Sequence, residues 1–151
     1  MPDTAPGAID SPVPDPRTGD VAAGVRDLVR LRLPAVGAYL SVLRSATAGL
    51  AARLDFTLEE IEDLRIAVDE ACAILLEDAA SQAQLFCEFE LLPDEIRVSV
   101  TVPTVSGALP VRDSFAWTVL SALAGSVDSR VDGEKNVSID LQKRKASAGV
   151  R

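Results

Sequence analysis

The segment from Thr57 to Leu76, TLEEIEDLRIAVDEACAILL, predicts a long amphipathic helix. Thr57 followed three residues later by Glu60 is the pattern of a capping box, which marks the N-terminus of a helix. The apolar residues after it recur at helical spacing, at Ile61, Leu64, Val68, Ala71 or Cys72, and Leu75. We therefore predict a helix from Leu58 to about Ala79.

The rest of the chain predicts further strands and helices around this one. In order, the predicted elements are an edge strand at Asp27 to Leu33, a helix at Ala35 to Arg53, the helix at Leu58, a tight hairpin of strands at Leu85 to Leu91 and Glu95 to Val102, a helix capped by Ser114 and running to about Val127, and a strand at Asn136 to Leu141. This order predicts an α+β fold, a two-layer sandwich in which three helices cover one face of a mainly antiparallel sheet.

The 151 residues and their apolar content of 48% favour one domain with a proper core. We expect a disordered tail over residues 1–24, the domain over residues 25–142, and a loose basic tail over residues 143–151. The N-terminal segment lacks the pattern of a secretory signal, and no apolar run reaches the length needed to cross a bilayer. We expect a soluble, cytoplasmic protein.

Charge and residue counts narrow the function further. The formal net charge of −8 opposes direct binding to nucleic acid and favours a basic protein partner. The sequence has no histidine, which excludes a kinase that phosphorylates its own histidine, and we predict no metal site. The two cysteines, Cys72 and Cys87, are expected to be reduced, apolar core residues.

The run EDLRIAVDEA, from Glu62 to Ala71, resembles the N-box helix of the RsbW and SpoIIAB anti-sigma factors. These proteins belong to the histidine-kinase-like (GHKL or Bergerat) ATPase superfamily. The later segment SFAWTVLSALA, Ser114 to Ala124, is similar to the actinobacterial, UsfX-like branch of the family. The resemblance extends over roughly Leu28 to Leu141 and implies the Bergerat form of the α+β sandwich.

The family's nucleotide site is only partly present. The resemblance places a catalytic glutamate at Glu70, but the magnesium-binding asparagine expected four residues later is Ile74, which cannot ligate a hard cation. The region VTVPTVSGALPVRD has no carboxylate where the family recognises adenine, and Gly107 is its one glycine. The connection from Pro103 to Ser114 is short for an ATP lid. We therefore expect no cofactor, with Mg-ATP possible only if the degenerate site still binds, and Glu70 is a weak, vestigial catalytic candidate.

A protein-binding surface fits the residues better. Gly37, Ser41, Arg44 and Ala48 form a stripe of small residues around one guanidinium, and the resemblance implies that an arginine of this helix contacts the sigma factor. A solvated, alanine-rich face is the alternative. The acidic helix after Thr57 is either a solvated face or a steering surface for a basic partner. Trp117 is either a core residue or an interface anchor, whereas Tyr39 and Phe115 are expected in the core.

We interpret the chain as an anti-sigma factor that sequesters an alternative sigma factor of the sigma F or sigma B type. The resemblance implies release by an anti-anti-sigma protein of the STAS class, and it implies a homodimer. One alternative is an active ATP-dependent serine kinase of the RsbW type that phosphorylates its STAS-domain antagonist. Another is a domain that binds a small non-nucleotide ligand in the former ATP cleft. The first interpretation makes this a regulator of transcription in a stress response, without direct contact to nucleic acid or membrane.

Overall fold

The computed structural model describes residues 27–146, which form a five-stranded antiparallel sheet covered on one face by three helices. The strands lie in the order β1-β2-β3-β5-β4. Their bounds are β1 Asp27–Pro34, β2 Gln84–Leu92, β3 Glu95–Pro103, β4 Ser126–Val131 and β5 Asn136–Arg144. The helices are α1 Leu40–Arg53, preceded by a 3-10 turn at Gly37–Tyr39, α2 Leu58–Leu76 and α3 Phe115–Leu123. The predicted α+β sandwich is confirmed.

The period of two along the central strands decides which face of the sheet is buried. Phe89 of β2 lies opposite Val98 of β3, which in turn lies opposite Leu141 of β5, and all three side chains are buried beneath the helices. The residues that alternate with them, such as Arg97 and Asp140, lie on the open face of the sheet. One face of the sheet is therefore apolar core and the other is polar.

Helix α2 is the central element of the helical layer. It packs against α1, α3 and strands β3 and β5, and its buried face consists of Leu64, Ala67, Val68, Ala71, Cys72 and Leu75. The predicted capping box is confirmed, because the Glu60 amide donates to the Thr57 hydroxyl at 3.1 Å and the Thr57 amide donates to the Glu60 carboxylate at 2.8 Å. Such a cap stabilises a helix by about 1 kcal/mol. The helix ends at Leu76, three residues before the predicted end, because Ala79 forms a β-bridge with Thr104.

Strand β4 is the element that the sequence did not predict. The third helix was expected to reach Val127, but it ends at Leu123, and Gly125 turns the chain with a φ of 71°. A Cβ at Gly125 would lie 3.1 Å from the Gln142 carbonyl oxygen, so the chain passes close to β5 at this point. Val127 therefore pairs with Leu141 as part of an edge strand, and the sheet has five strands instead of four.

The C-terminal boundary also differs from the prediction. Lys143 and Arg144, which were assigned to a loose tail, belong to β5. The Lys143 ammonium donates to the Leu123 carbonyl at 3.0 Å and lies 3.8 Å from the Asp63 carboxylate, which ties the strand to two helices. The predicted N-terminal tail and the last residues of the C-terminal tail lie outside the described residues. Within residues 27–146, each helix is too short or too polar to cross a membrane.

Candidate functional site

A cleft lies between the C-terminal half of α2, the loop of residues 104–114 and the start of α3, and its volume is about 520 Å³. Its apolar lining includes Ile74, Leu75, Ala108, Pro110, Ala116 and Val137. Ile74 is half-buried here and packs against the core. Glu70, one turn earlier on α2, is half-buried and lies outside the lining of the cleft. The position where the resemblance expects a magnesium ligand is thus part of an apolar wall.

The loop of residues 104–114 is fastened to α2 by Asp78. The Ser106 hydroxyl donates to the Asp78 carboxylate at 2.5 Å, and the Ser106 amide donates to the same oxygen at 3.2 Å. The Val105 amide adds a bond to the Asp78 carbonyl at 2.8 Å. These three bonds hold the loop against the end of the helix. They involve backbone groups and the short side chains of Ser106 and Asp78, so they fix the wall of the cleft in this structure.

Gly107 has a structural role within this loop. Its φ is 73°, and its amide donates to the Thr104 hydroxyl at 2.9 Å, which in turn donates to the Lys135 carbonyl at 2.8 Å. A Cβ at Gly107 would lie 2.9 Å from Cγ of Lys135. Glycine is required here by the left-handed turn and by the close approach of the β4–β5 connection.

The start of α3 exposes an aromatic side chain between two residues that line the cleft, Ser114 and Ala116. Ser114 caps the helix by accepting a hydrogen bond from the Trp117 amide at 3.1 Å, which occupies its hydroxyl. Phe115 follows and is 83% exposed, so its predicted place in the core is wrong. Tyr39, 45% exposed beside α1, was also wrongly expected in the core. Both residues sit where a helix begins, and helical periodicity does not determine which way such a residue faces.

Trp117 is buried, with only 6% of its surface exposed. The Arg112 guanidinium covers the indole ring at 4.8 Å from its centroid and also donates to the Asp128 carboxylate at 2.7 Å. Arg112 lowers the pKa of Asp128, with a further contribution from the Ser129 amide. Sequence reasoning missed this contact, because Asp128 lies on the strand that it did not predict. The core interpretation of Trp117 fits this arrangement.

Arg44 lies at the seam between α1 and α2. Its Nε atom is 3.3 Å from the Asp69 carboxylate, and 35% of the arginine side chain is exposed. The Nε atom is buried and has no hydrogen bond of good geometry, so the contact is an ion pair only. Ser41 is exposed and Ala48 is half-buried on the same helix. The structure therefore brings these three predicted residues together on α1, away from the buried Trp117.

The two cysteines pack in the core between α2 and β2 and are both free thiols. Burial raises the pKa of Cys72 to about 12, with a smaller contribution from Asp69. Burial likewise raises the pKa of Cys87 well above its usual value. Both thiols are neutral and shielded, which makes them poor nucleophiles. Among residues 27–146, no three metal-ligating side chains cluster together.

The acidic side chains of α2 divide into those that are paired within the chain and those that are not. The paired ones are Glu60, Glu62, Asp63 and Asp69, which contact Thr57, Arg65, Lys143 and Arg44 respectively. The side chain of Glu77, which is exposed and lines the cleft, makes no ion pair or hydrogen bond with the described part of the chain. Basic side chains of the described part of the chain thus balance the carboxylates of Glu62, Asp63 and Asp69.

Comparison with known proteins identifies the class to which this α+β domain belongs. No protein-family model matches the sequence. The anti-sigma-F factor RsbW of Mycobacterium tuberculosis is 32% identical over 112 residues, which cover 74% of this chain and 66% of that protein. The serine-protein kinase RsbW of Bacillus subtilis is 32% identical over 77 residues, which cover 49% of this chain and 48% of that protein.

The fold agrees with these relatives. A crystal structure of the RsbU and RsbW domains of a Mycobacterium tuberculosis protein matches with a TM-score of 0.60 at 15% identity, over 80% of this chain and 33% of that one. The chain therefore belongs to the RsbW-like family, and the resemblance seen in EDLRIAVDEA is confirmed. Its match spans between about half and two thirds of the length of these curated relatives.

Proposed function

We propose that this chain is a cytoplasmic anti-sigma factor that sequesters an alternative sigma factor of the sigma F or sigma B type without using ATP. The proposed independence from ATP rests on the position of Ile74. Magnesium takes oxygen ligands in near-octahedral geometry, and this side chain offers none while forming part of an apolar wall. The similarity to an anti-sigma-F factor over 112 residues supports the proposed role as an anti-sigma factor.

The proposed contact surface is α1, with Arg44 at its centre and Ser41 and Ala48 beside it. The ion pair between Arg44 and Asp69 is half-exposed, and such pairs contribute only about 0 to 1 kcal/mol, so a partner can displace it at little cost. A carboxylate of the sigma factor would then take the planar guanidinium in a bidentate contact. Trp117 is left out of the proposed surface because it is buried.

In this proposal the sigma factor is released when another protein competes for the surface that binds it. In this proposal an anti-anti-sigma protein of the STAS class binds a surface that overlaps the sigma-factor site, so that its concentration sets the free sigma factor by mass action. We also propose that the protein acts as a homodimer, as the family resemblance implies. Neither step requires phosphate transfer by this chain.

The test is a titration of labelled sigma factor with the full chain and with two charge-reversal variants. Arg44→Glu is expected to weaken capture at least about a hundredfold, because it replaces a charge-assisted contact with repulsion. Arg53→Glu makes the same charge change on an exposed residue near the end of α1, on the opposite face of the helix from Arg44. This variant is expected to leave the affinity unchanged. Equal affinities for wild type and Arg44→Glu would remove the reason for placing the contact on this face.

The second candidate is a serine kinase, which the names of the Bacillus relatives and the retained Glu70 favour. This activity requires that Mg-ATP bind in the cleft. Transfer of labelled phosphate from ATP to a STAS-domain antagonist tests it, with Glu70→Ala as the control. Transfer that disappears in Glu70→Ala would establish the kinase and refute the proposed loss of nucleotide chemistry.

A further inference from the structure

The loop that walls the cleft and the first residue of α3 carry four exposed apolar side chains. The group consists of Val105, Leu109, Val111 and Phe115, which are between 49% and 83% exposed. Single exposed apolar residues are ordinary, but two of these, Leu109 and Val111, line the cleft itself, and exposed apolar surface in a cleft favours a docking site. The loop is fastened by the Asp78–Ser106 bonds, so this exposure belongs to a fixed conformation of the wall.

The cleft itself offers an apolar floor for a side chain. Ile74 and Leu75 of α2 and Val137 of β5 form the inner surface, and Pro110 and Ala116 form the sides. The volume of about 520 Å³ lies in the range of roughly 300 to 1,000 Å³ that is typical of ligand sites. An occupant that buries its apolar groups here would also cover Leu109 and Val111, which line the cleft.

The rim of the cleft is acidic. Glu77 is exposed, lines the cleft and has no ion pair with the described residues, and the Asp78 carboxylate lies beside it. Arg112, the cation of the loop, is turned away to Asp128 and the Trp117 ring. An apolar occupant with positive charges at its edges therefore complements this site, whereas an anion is repelled.

We propose that the cleft docks a short amphipathic segment of a partner protein, with apolar side chains on one side and Lys or Arg residues at its borders. The apolar side chains enter between Ile74 and Val111, and the basic residues meet Glu77 and Asp78. A second copy of the chain is a poor occupant, because each copy brings the same acidic rim and a net charge of −8. The surface is distinct from Arg44, which lies on the α1 side of α2.

A pair of synthetic peptides tests the chemistry of the site. Both have about 15 residues and the same leucine positions at helical spacing. All the remaining positions are lysine in one peptide and glutamate in the other. Binding to the full chain is measured by fluorescence anisotropy of labelled peptide. The lysine peptide is expected to bind about tenfold or more tightly than the glutamate peptide, because only the former complements the rim.

Matched variants locate the binding. Phe115→Ala is expected to weaken binding of the lysine peptide about tenfold. Leu58→Ala, at an equally exposed first residue of α2, is expected to have no effect. Glu77→Lys is likewise expected to weaken binding, and Glu59→Lys, at the opposite end of α2, to leave it unchanged. Melting followed by circular dichroism confirms that each variant is folded.

Three results would overturn the proposal. The first is that neither peptide binds or that both bind equally well. The second is that the control variants lose as much affinity as the cleft variants. The third is a self-association in sedimentation velocity that Phe115→Ala abolishes, which would make a second copy the occupant. The outcome is independent of sigma-factor capture, which is measured with the Arg44→Glu variant.

Discussion

Replacing Ile74 with asparagine restores the amide that the resemblance expects four residues after Glu70. Full burial of an isoleucine side chain contributes about 1.5 to 3 kcal/mol, and Ile74 is half-buried against the core. Isoleucine and asparagine differ little in helix propensity, so the lost packing dominates. We expect Ile74→Asn to lower the free energy of unfolding by about 1 to 2 kcal/mol and the melting temperature by about 3 to 8 °C.

The same variant is expected to gain almost no affinity for nucleotide. One amide leaves the cleft apolar at Leu75, Pro110 and Val137. The loop of residues 104–114 also has no carboxylate at the position where the resemblance expects one for adenine. Isothermal titration calorimetry with Mg-ATP should give a dissociation constant above about 1 mM for both wild type and Ile74→Asn, which corresponds to less than about 4 kcal/mol of binding free energy.

Ala73→Asn is the control for this pair of measurements, because Ala73 is an exposed neighbour on α2 outside the cleft. It should leave nucleotide binding unchanged and cost less stability than Ile74→Asn. Micromolar binding of Mg-ATP to Ile74→Asn, but not to Ala73→Asn, would show that one side chain is all that separates this site from a working one. That result would refute the proposed degeneration of the whole cleft.

Three further predictions concern the parts that shape the site. Gly107→Ala should destabilise the protein by about 1 to 3 kcal/mol in thermal unfolding, since φ is 73°, whereas Gly133→Ala, with open space around its Cβ, should cost less. Burial raises the pKa of Glu60, but hydrogen bonds from the Thr57 and Ala146 amides outweigh it and leave the pKa below the ordinary 4.5. The stability advantage of wild type over Glu60→Gln should therefore be present above pH 4.5 and be lost as the pH falls below it. Arg112→Ala should uncover the indole of Trp117, shifting its fluorescence to the red and increasing its quenching by acrylamide.

The parts of the fold that local pattern determines were predictable from the sequence. The capping box at Thr57 and the apolar period after it define α2, and the Pro93-Asp94 turn between two alternating segments defines the central hairpin. Long-range contacts determine what was missed. Strand β4 exists because Gly125 stops α3 and the next residues pair with β5, and neither event is visible in a helical period that continues to Val127.

For the candidate site, the sequence predicted which residue types are present but not the contacts that shape the cleft. The presence of Ile74 at the family's magnesium position could be read directly, because it depends on one residue in a helix of known phase, whereas the loss of nucleotide binding stays a prediction. The contacts that shape the cleft could not, since Ser106 bonds to Asp78 across 28 residues of chain and Arg112 bonds to Asp128 on the unpredicted strand. Side-chain exposure at a helix start, as at Phe115, depends on the neighbouring loop rather than on the helix.

The most direct test is capture of the sigma factor from the cells that make this protein. Full-length tagged protein is used as bait in parallel samples with and without added Mg-ATP, and the retained proteins are identified by mass spectrometry. We predict that one alternative sigma factor is retained equally in both samples and is lost with Arg44→Glu. Retention that depends on Mg-ATP, or recovery of a phosphorylated STAS-domain protein without a sigma factor, would contradict nucleotide-independent sequestration.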